Sequence, residues 1–336
     1  MNLDFKEHVM TKKPVPQNPN QQGLFENNAV SVENPVTNKG TSIRKRASLL
    51  PSYHANRDFF VADLLDIALK SDRASLEVPI FSLATRPDKS IFQWSSKDGN
   101  RMLRVVPSVL GRATQMDKDV LIYIISQVME AENRGREDFN NKTIQFTAYN
   151  YFVSTNKPST GGKEYERLDL ALKRLLGTTI LTNIKTNGVE MKDDFHLIER
   201  VRTIRKSADD DTMIAIEVVL SDWLFNAIQA HEVLKLNNDY FKLRRPLERR
   251  LYEIARKHCG NQPQWKISFQ LLHEKSGSAS SLREFRRMVR EIVEKNTGFP
   301  DYRITLDDEK DQVIFWTRDA QKLIKAIIKS ESKKSP

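Results

Sequence analysis

The chain has 336 residues, with 54 Lys and Arg against 44 Asp and Glu, a formal net charge of +10 and one cysteine. That length allows two domains with real cores, while no apolar run approaches a membrane span and the opening MNLDFKEHVMTKK lacks the apolar centre of a secretory signal. The lone Cys259 excludes an intramolecular disulfide and fits a reducing compartment, so a cytoplasmic chain with no membrane span is expected, and the positive charge favours a polyanionic partner without separating nucleic acid from an anionic membrane.

Residues 1–56 are rich in Asn, Gln and Pro, as in PVPQNPNQQ, and read as a disordered tail. Two islands interrupt it: QQGLFE, where Leu24 and Phe25 adjoin, and the basic SIRKRAS at 42–48. FFVADLLDIALK (59–70) has helical spacing. LEVPIFSL, SIFQWSS and RMLRVVPS read as strands, the last two joined by Asp98-Gly99, a hairpin signal. MDKDVLIYIISQVMEAENRG (116–135) predicts a helix, capped by Asp117 and with Asp119 near its positive end.

From that helix onward one order of elements occurs twice. The first pass continues with strand TIQFT (143–147), helix AYNYFVST, linker NKPSTGG and helix KEYERLDLALKRLLG (163–177). Strands TILTNIKT and DFHLIERVRTIR close it around Asn187-Gly188. The second pass opens with helix RRPLERRLYEIARKHCG, where Pro246 suits a first turn. WKISF, helix QLLHEKSG, linker SASS and helix SLREFRRMVREIVEKN come next, then strands YRITL and QVIFWT joined by the acidic DDEKD. Helix, strand, helix, helix, hairpin is the order of a winged-helix unit, whose third helix reads DNA and whose hairpin grips the backbone beside it. The expected fold is α+β: a tail over 1–56, a winged-helix domain with preceding strands over 57–235, and a second winged-helix domain over 236–330.

The third helices carry the chemistry. In the second pass Ser281 and Glu284 form a capping box, Leu282, Phe285, Val289, Ile292 and Val293 share one stripe, and Gly298 is a plausible stop. Arg283, Arg287 and Arg290, at i, i+4 and i+7, form a ridge beside that stripe, with Arg286 at the boundary. In the first pass Leu168, Ala171, Leu172, Leu175 and Leu176 face inward, and Lys163, Arg167 and Arg174 fall almost opposite. A solvated face explains one such helix; its recurrence at the same place in both passes favours DNA contact. Arg286, and Lys173 near Glu166, can equally pair on the surface.

Several longer stretches sharpen this reading: EVPIFSL, PSVLGRATQMDKDVLIYIISQ, TGGKEYERLDLALKRLLGTTILTNI, LSDWLFNAIQAHEVLKLNNDYFKLRRPLERRLYEIARKHCG and KSGSASSLREFRR. Over about 59–317 the chain resembles the plasmid replication initiator protein A family, of the winged-helix Rep type. The resemblance implies an initiator that binds repeated origin sequences, called iterons, in double-stranded DNA, helps open the duplex and recruits host helicase or initiator machinery. It also implies binding to an inverted repeat as a homodimer to repress its own gene. Through SSLREFRR it assigns the main base reading to Arg283, Arg286, Arg287 and Arg290, and through GGKEYERLDLALKR a second set to Lys163, Arg167 and Arg174, with Tyr165 and Thr160 as phosphate contacts.

QQGLFE resembles the short peptide by which bacterial proteins bind the replicative sliding clamp, with Leu24 and Phe25 filling an apolar pocket and Gln21 supplying a hydrogen bond. The strands at 76–108 either extend the first sheet or mediate dimerisation. The six histidines include no His-x-His pair for a nickase metal, and the glycines at 161–162 do not complete a phosphate loop. His258-Cys259 lacks a second ligand pair for zinc. No catalytic constellation, metal or cofactor is expected, and a transcriptional regulator without replication activity is the alternative.

Overall fold

The structure, a computed structural model, describes residues 58–64, 66–157, 159–189, 194–205, 213–260, 262–295, 299–324 and 328. The tail expected over 1–56, with Gln21, Leu24 and Phe25, lies outside the described residues, as does Gly298.

The helix expected over 59–70 gives way to sheet pairing. Phe60–Val61 form β1, parallel to Ile144 and Gln145, and Leu64 binds the Gln127 side chain through both its backbone groups, at 3.0 and 2.9 Å. A sheet edge and a side-chain amide thus supply the partners that a helix would have supplied, and tertiary pairing overrides local spacing. Lys70–Asp72 form β2, and Asp72 caps the short α1 (Arg73–Glu77) by accepting from the Ser75 amide at 2.7 Å. The strand expected over 76–83 is therefore absent: Leu76 and Glu77 end α1, and Pro79 removes a backbone donor two residues later. Val78, Ile80 and Phe81 are still buried. β3 (Phe92–Ser95) and β4 (Met102–Val106) make the expected hairpin, with Gly99 at φ +69° after Asp98.

α2 (Lys118–Asn133) is buried on nearly every face. It gives Tyr123, Ile124 and Val128 to one apolar core and Ile122 to a second, which is why its apolar residues run without a polar side. Asp117 does not cap it as expected; its carboxylate accepts from the Thr114 amide at 2.8 Å and is engaged by Arg174.

β5 (Thr143–Phe146), α3 (Ala148–Ser154) and α4 (Gly162–Gly177) follow as expected. β6 (Thr179–Thr182) then pairs with β4, giving a sheet of order β3-β4-β6. The predicted hairpin around Asn187-Gly188 is realised only locally, through bridges Thr186–Val189 and Ile180–Phe195. β7 (Ile198–Arg205) pairs instead with β8 (Met213–Leu220), in the sheet β1-β5-β8-β7. β8 gives Ile216, Val218 and Leu220 to the first core, so pairing with it places β7 on the buried sheet, while β6 already pairs with β4 and bridges Phe195.

α5 (Asp222–Gln229) and β9 (Val233–Lys235), antiparallel to β2, lead into the second pass. That pass comprises α6 (Pro246–Cys259), β10 (Gln264–Ser268), α7 (Phe269–Ser276), α8 (Leu282–Lys295), β11 (Tyr302–Asp307) and β12 (Gln312–Thr317). Its sheet order, β10-β12-β11, repeats β5-β8-β7: in both, the strand after the first helix pairs with the last strand, antiparallel throughout. The mixed α+β chain thus carries one strand order twice, in a first and a second copy, with β6 additional in the first. α7 ends at Gly277, where φ is +70° and an added Cβ would lie 2.5 Å from Pro79 Cβ, so only glycine seats this end against the segment after α1.

Candidate nucleic-acid interface

α8 buries Phe285, Val289 and Ile292 and turns its basic ridge outward. Ser281 Oγ accepts from the Glu284 amide at 3.3 Å, half of the expected capping box. The other half is missing because the Glu284 carboxylate takes Arg287 at 2.9 and 2.6 Å. Arg283 is exposed and has no ion-pair partner among the described residues. Arg290 donates to Asp308 at 2.8 Å, and Arg286 clasps Asp311 at 3.0 and 2.6 Å. Both of these guanidinium groups lie over the Phe269 ring, at 5.7 and 5.8 Å. The carboxylates come from the turn between β11 and β12. This hairpin tip is therefore mainly acidic and props α8, and its one cation, Lys310, 69% exposed, lies 3.8 Å from Asp307. Hydrogen bonds from Lys295, then Arg245, hold the Glu291 carboxyl down at about 2.

α4 distributes its predicted residues differently. Lys163 is exposed without an ion-pair partner among the described residues, and Arg167, 68% exposed, pairs with Glu164 one turn back. Thr160 is exposed in the loop before the helix. Tyr165 is half-buried, its ring edge-on to Phe152 at 5.0 Å, so most of it packs instead of facing a ligand. Arg174 is only 17% exposed and binds Asp117 at 2.7 and 2.6 Å. Those bonds raise its pKa further and commit it to holding α4 against the start of α2. Arg167 and Arg174 line a cleft together with Leu168 and Ala171, so they occupy the flank beside the core stripe, not the side opposite. Lys173 pairs with Asp169, not Glu166, at 2.6 Å.

The two copies are joined by buried charges absent from the expected site. Asp119 on α2 accepts from Arg249 on α6 and from Lys157 at 2.7 Å. Lys118 lies 2.9 Å from Glu253, which also accepts from Gln115 at 2.7 Å and from Tyr240 at 2.8 Å. Arg250 donates to the carbonyls of Ser75, Leu76, Glu77 and Lys275 at 2.8 to 3.1 Å. Burial lowers the Arg250 pKa; for Arg249 desolvation is again the largest influence, but the Asp119 charge and hydrogen bond together with Tyr240 and Tyr151 outweigh it and the pKa rises. A signal was present in the sequence: Arg249, Arg250 and Glu253 interleave with Leu247, Leu251 and Ile254, which leaves α6 no wholly polar face.

Among the described residues no group of three or more His, Cys, Asp and Glu could hold a metal, and no helix is long and apolar enough to cross a membrane. Cys259 is buried, its thiol directed at the Gln262 carbonyl at 3.3 Å.

Comparison with known proteins identifies the class. A family model described as replication initiator protein A matches residues 70–304. A chain of Wigglesworthia glossinidia brevipalpis, named provisionally as a replication protein, is 38% identical over 265 residues, covering 78% of this chain and 94% of its own length. The crystal structure of domains 2 and 3 of RctB superposes with a TM-score of 0.53 at 12% identity, covering 74% of this chain and 98% of that one, a likeness of fold. The chain is a replication initiator. It belongs to the replication initiator protein A family.

Proposed function

We propose that the duplicated units are two winged-helix domains, over 57–235 and 236–330, that bind double-stranded iteron DNA at a plasmid origin. The observation that carries this is the outward ridge of Arg283, Arg287 and Arg290 on the third helix of a unit whose sheet order repeats in the first copy. Arginine at such a position bonds guanine O6 and N7 bidentately, each pair adding about 1–3 kcal/mol of discrimination. Arg283 meets a base edge without first leaving a partner. Arg287 and Arg290 exchange Glu284 and Asp308 for DNA. α4 is the second reader, contributing Lys163 and Arg167, while Arg174 positions the helix through Asp117.

The hairpins act unequally. β7 carries Arg200 and Arg202, 56% and 60% exposed, both sharing Glu217, so the first hairpin offers cations to the backbone. The second offers an acidic tip that steadies α8. Binding then promotes origin opening, recruits host helicase or initiator proteins and represses the chain's own gene, with the protein itself making or breaking no covalent bond. A homodimer and a clamp-binding tail belong to the same proposal.

Footprinting the full chain on its parent plasmid tests the reading. The expected result is a tandem array of protected sites beside an AT-rich segment, each about two helical turns long. Protection confined to a promoter would replace the initiator with a transcriptional regulator, and a covalent tyrosine–DNA adduct would replace it with a nickase.

A further inference from the structure

A cleft of about 590 Å³ lies between the two copies, walled by α4, the loop at 84–87 and the entry to α6. Its apolar floor includes Phe152 and Leu168, and its rim carries Arg86, Lys157, Arg167 and Arg244. The two carboxylates of the lining, Asp117 and Glu164, are already held by Arg174 and Arg167, and Lys157 is held by Asp119. Arg86 and Arg244 are exposed, and neither has a carboxylate partner among the described residues. Arg86 and Arg244 therefore bring positive charge to the cleft that no carboxylate among the described residues neutralises.

Its position is specific. Arg244 donates to the Asn156 carbonyl at the end of α3, at 3.4 Å, and the adjacent Arg245 donates to Glu291 on α8 at 3.1 Å. The short segment before Pro246 thus reaches from the helix pair of the first copy to the third helix of the second. Glu291 also lies 3.5 Å from Arg287 of the ridge, so one carboxylate links the residue beside the rim to α8.

We infer that this junction is a phosphate seat: Arg86 and Arg244 hold the backbone of the duplex where it passes between the two recognition helices. The inference rests on the proposed reading of α4 and α8. Two helices in successive major grooves lie about 34 Å apart, and the minor groove between them faces the protein. The phosphates flanking that groove need cations at the junction, and contacts of this kind set register without reading sequence.

The test uses the full chain and a duplex carrying one footprinted site. Two neutralised contacts contribute about 1.8 to the slope of log K against log salt, so R86Q/R244Q should lose roughly twelvefold less affinity than the parent between about 50 and 200 mM salt. Its preference for origin over scrambled duplex should be unchanged, and its thermal melting should match the parent because both side chains are exposed. Phosphate ethylation at the centre of the site should block the parent and not the variant. A variant slope equal to the parent's, or central ethylation that still blocks the variant, overturns the inference. R283A/R287A, assayed in parallel, separates the two questions: if that variant keeps its origin preference, the reading of α8 itself has failed. If it loses that preference while R86Q/R244Q retains the parent slope, only the phosphate seat has failed.

Discussion

Asp119 on α2 and Arg249 on α6 form an ion pair that is almost wholly excluded from solvent, and it joins the first helix of one copy to the first helix of the other. Two charges removed from water are tolerable only when their hydrogen bonds are complete. Here Lys157 takes the second Asp119 oxygen, and Arg249 Nε donates to the Leu243 carbonyl at 2.8 Å. Because the network ties α2 to α6, it also sets where α8 stands relative to α4.

Removing one partner should expose the cost of the other. Asp119→Asn leaves Arg249 and Lys157 without a counter-charge, and a destabilisation of about 3–5 kcal/mol is expected by urea denaturation. Asp119→Asn/Arg249→Met should be less destabilising than the single change. A loss below about 1 kcal/mol in the single variant, within the range of exposed pairs, would show that the pair is not buried in solution.

On the proposed reading, the acidic hairpin tip competes with DNA for α8. Asp308→Asn/Asp311→Asn frees Arg290 and Arg286, and exposed pairs are worth about 0.2–1 kcal/mol each, so origin affinity at low salt should rise roughly fivefold. Fluorescence anisotropy with origin duplex measures it. Weaker binding would mean that propping α8 matters more than the charge it occupies. Arg283→Ala, by contrast, should cost about 1–3 kcal/mol of origin preference while leaving the melting temperature unchanged.

Gly277 combines a left-handed backbone with a close approach to Pro79. Gly277→Ala should destabilise by more than about 1 kcal/mol, from the strained φ and the displaced proline together. Gly99, also at positive φ but with open space around it, is the control and should cost less in the same thermal melt.

His258 stacks on Trp265 with ring centroids 4.9 Å apart, and its Nε2 has no hydrogen-bond partner. Burial, followed by the Lys275 charge, lowers its pKa to about 4 from the usual 6.5. The folded state therefore resists a proton that the unfolded state accepts. Stability contributed by neutral His258 is complete above pH of about 6.5 and is lost as pH falls from there towards about 4. Partial exposure limits the effect to the order of 1 kcal/mol. Urea midpoints for the parent and His258→Phe should diverge in their pH dependence over that window; parallel curves would show that the ring is solvated.

Local signals and tertiary decisions divide along physical lines. The continuous β-branched and aromatic run in QVIFWT, the cap at Ser281, Pro246 at a helix start and Asp98-Gly99 in a turn all specify structure through neighbours a few residues away. The amphipathic arginine helix was equally legible, since a ridge at i, i+4 and i+7 beside an apolar stripe has one solvent side. The sequence by itself therefore determined the order of elements in the second copy, the exposure of Arg283 and Arg287, and the family; in the first copy it missed β8. It did not decide whether 59–70 became helix or strand, because that stretch draws its backbone partners from β5 and Gln127, far away in the chain. Nor did it decide which strand β7 joins, or that Arg174 serves Asp117 while Arg86 and Arg244 stand at the junction without a carboxylate partner among the described residues. A charged side chain looks the same in sequence whether a carboxylate waits for it or not. Only the folded chain brings the two within bonding distance, and that proximity separates an arginine held by a carboxylate from one without such a partner.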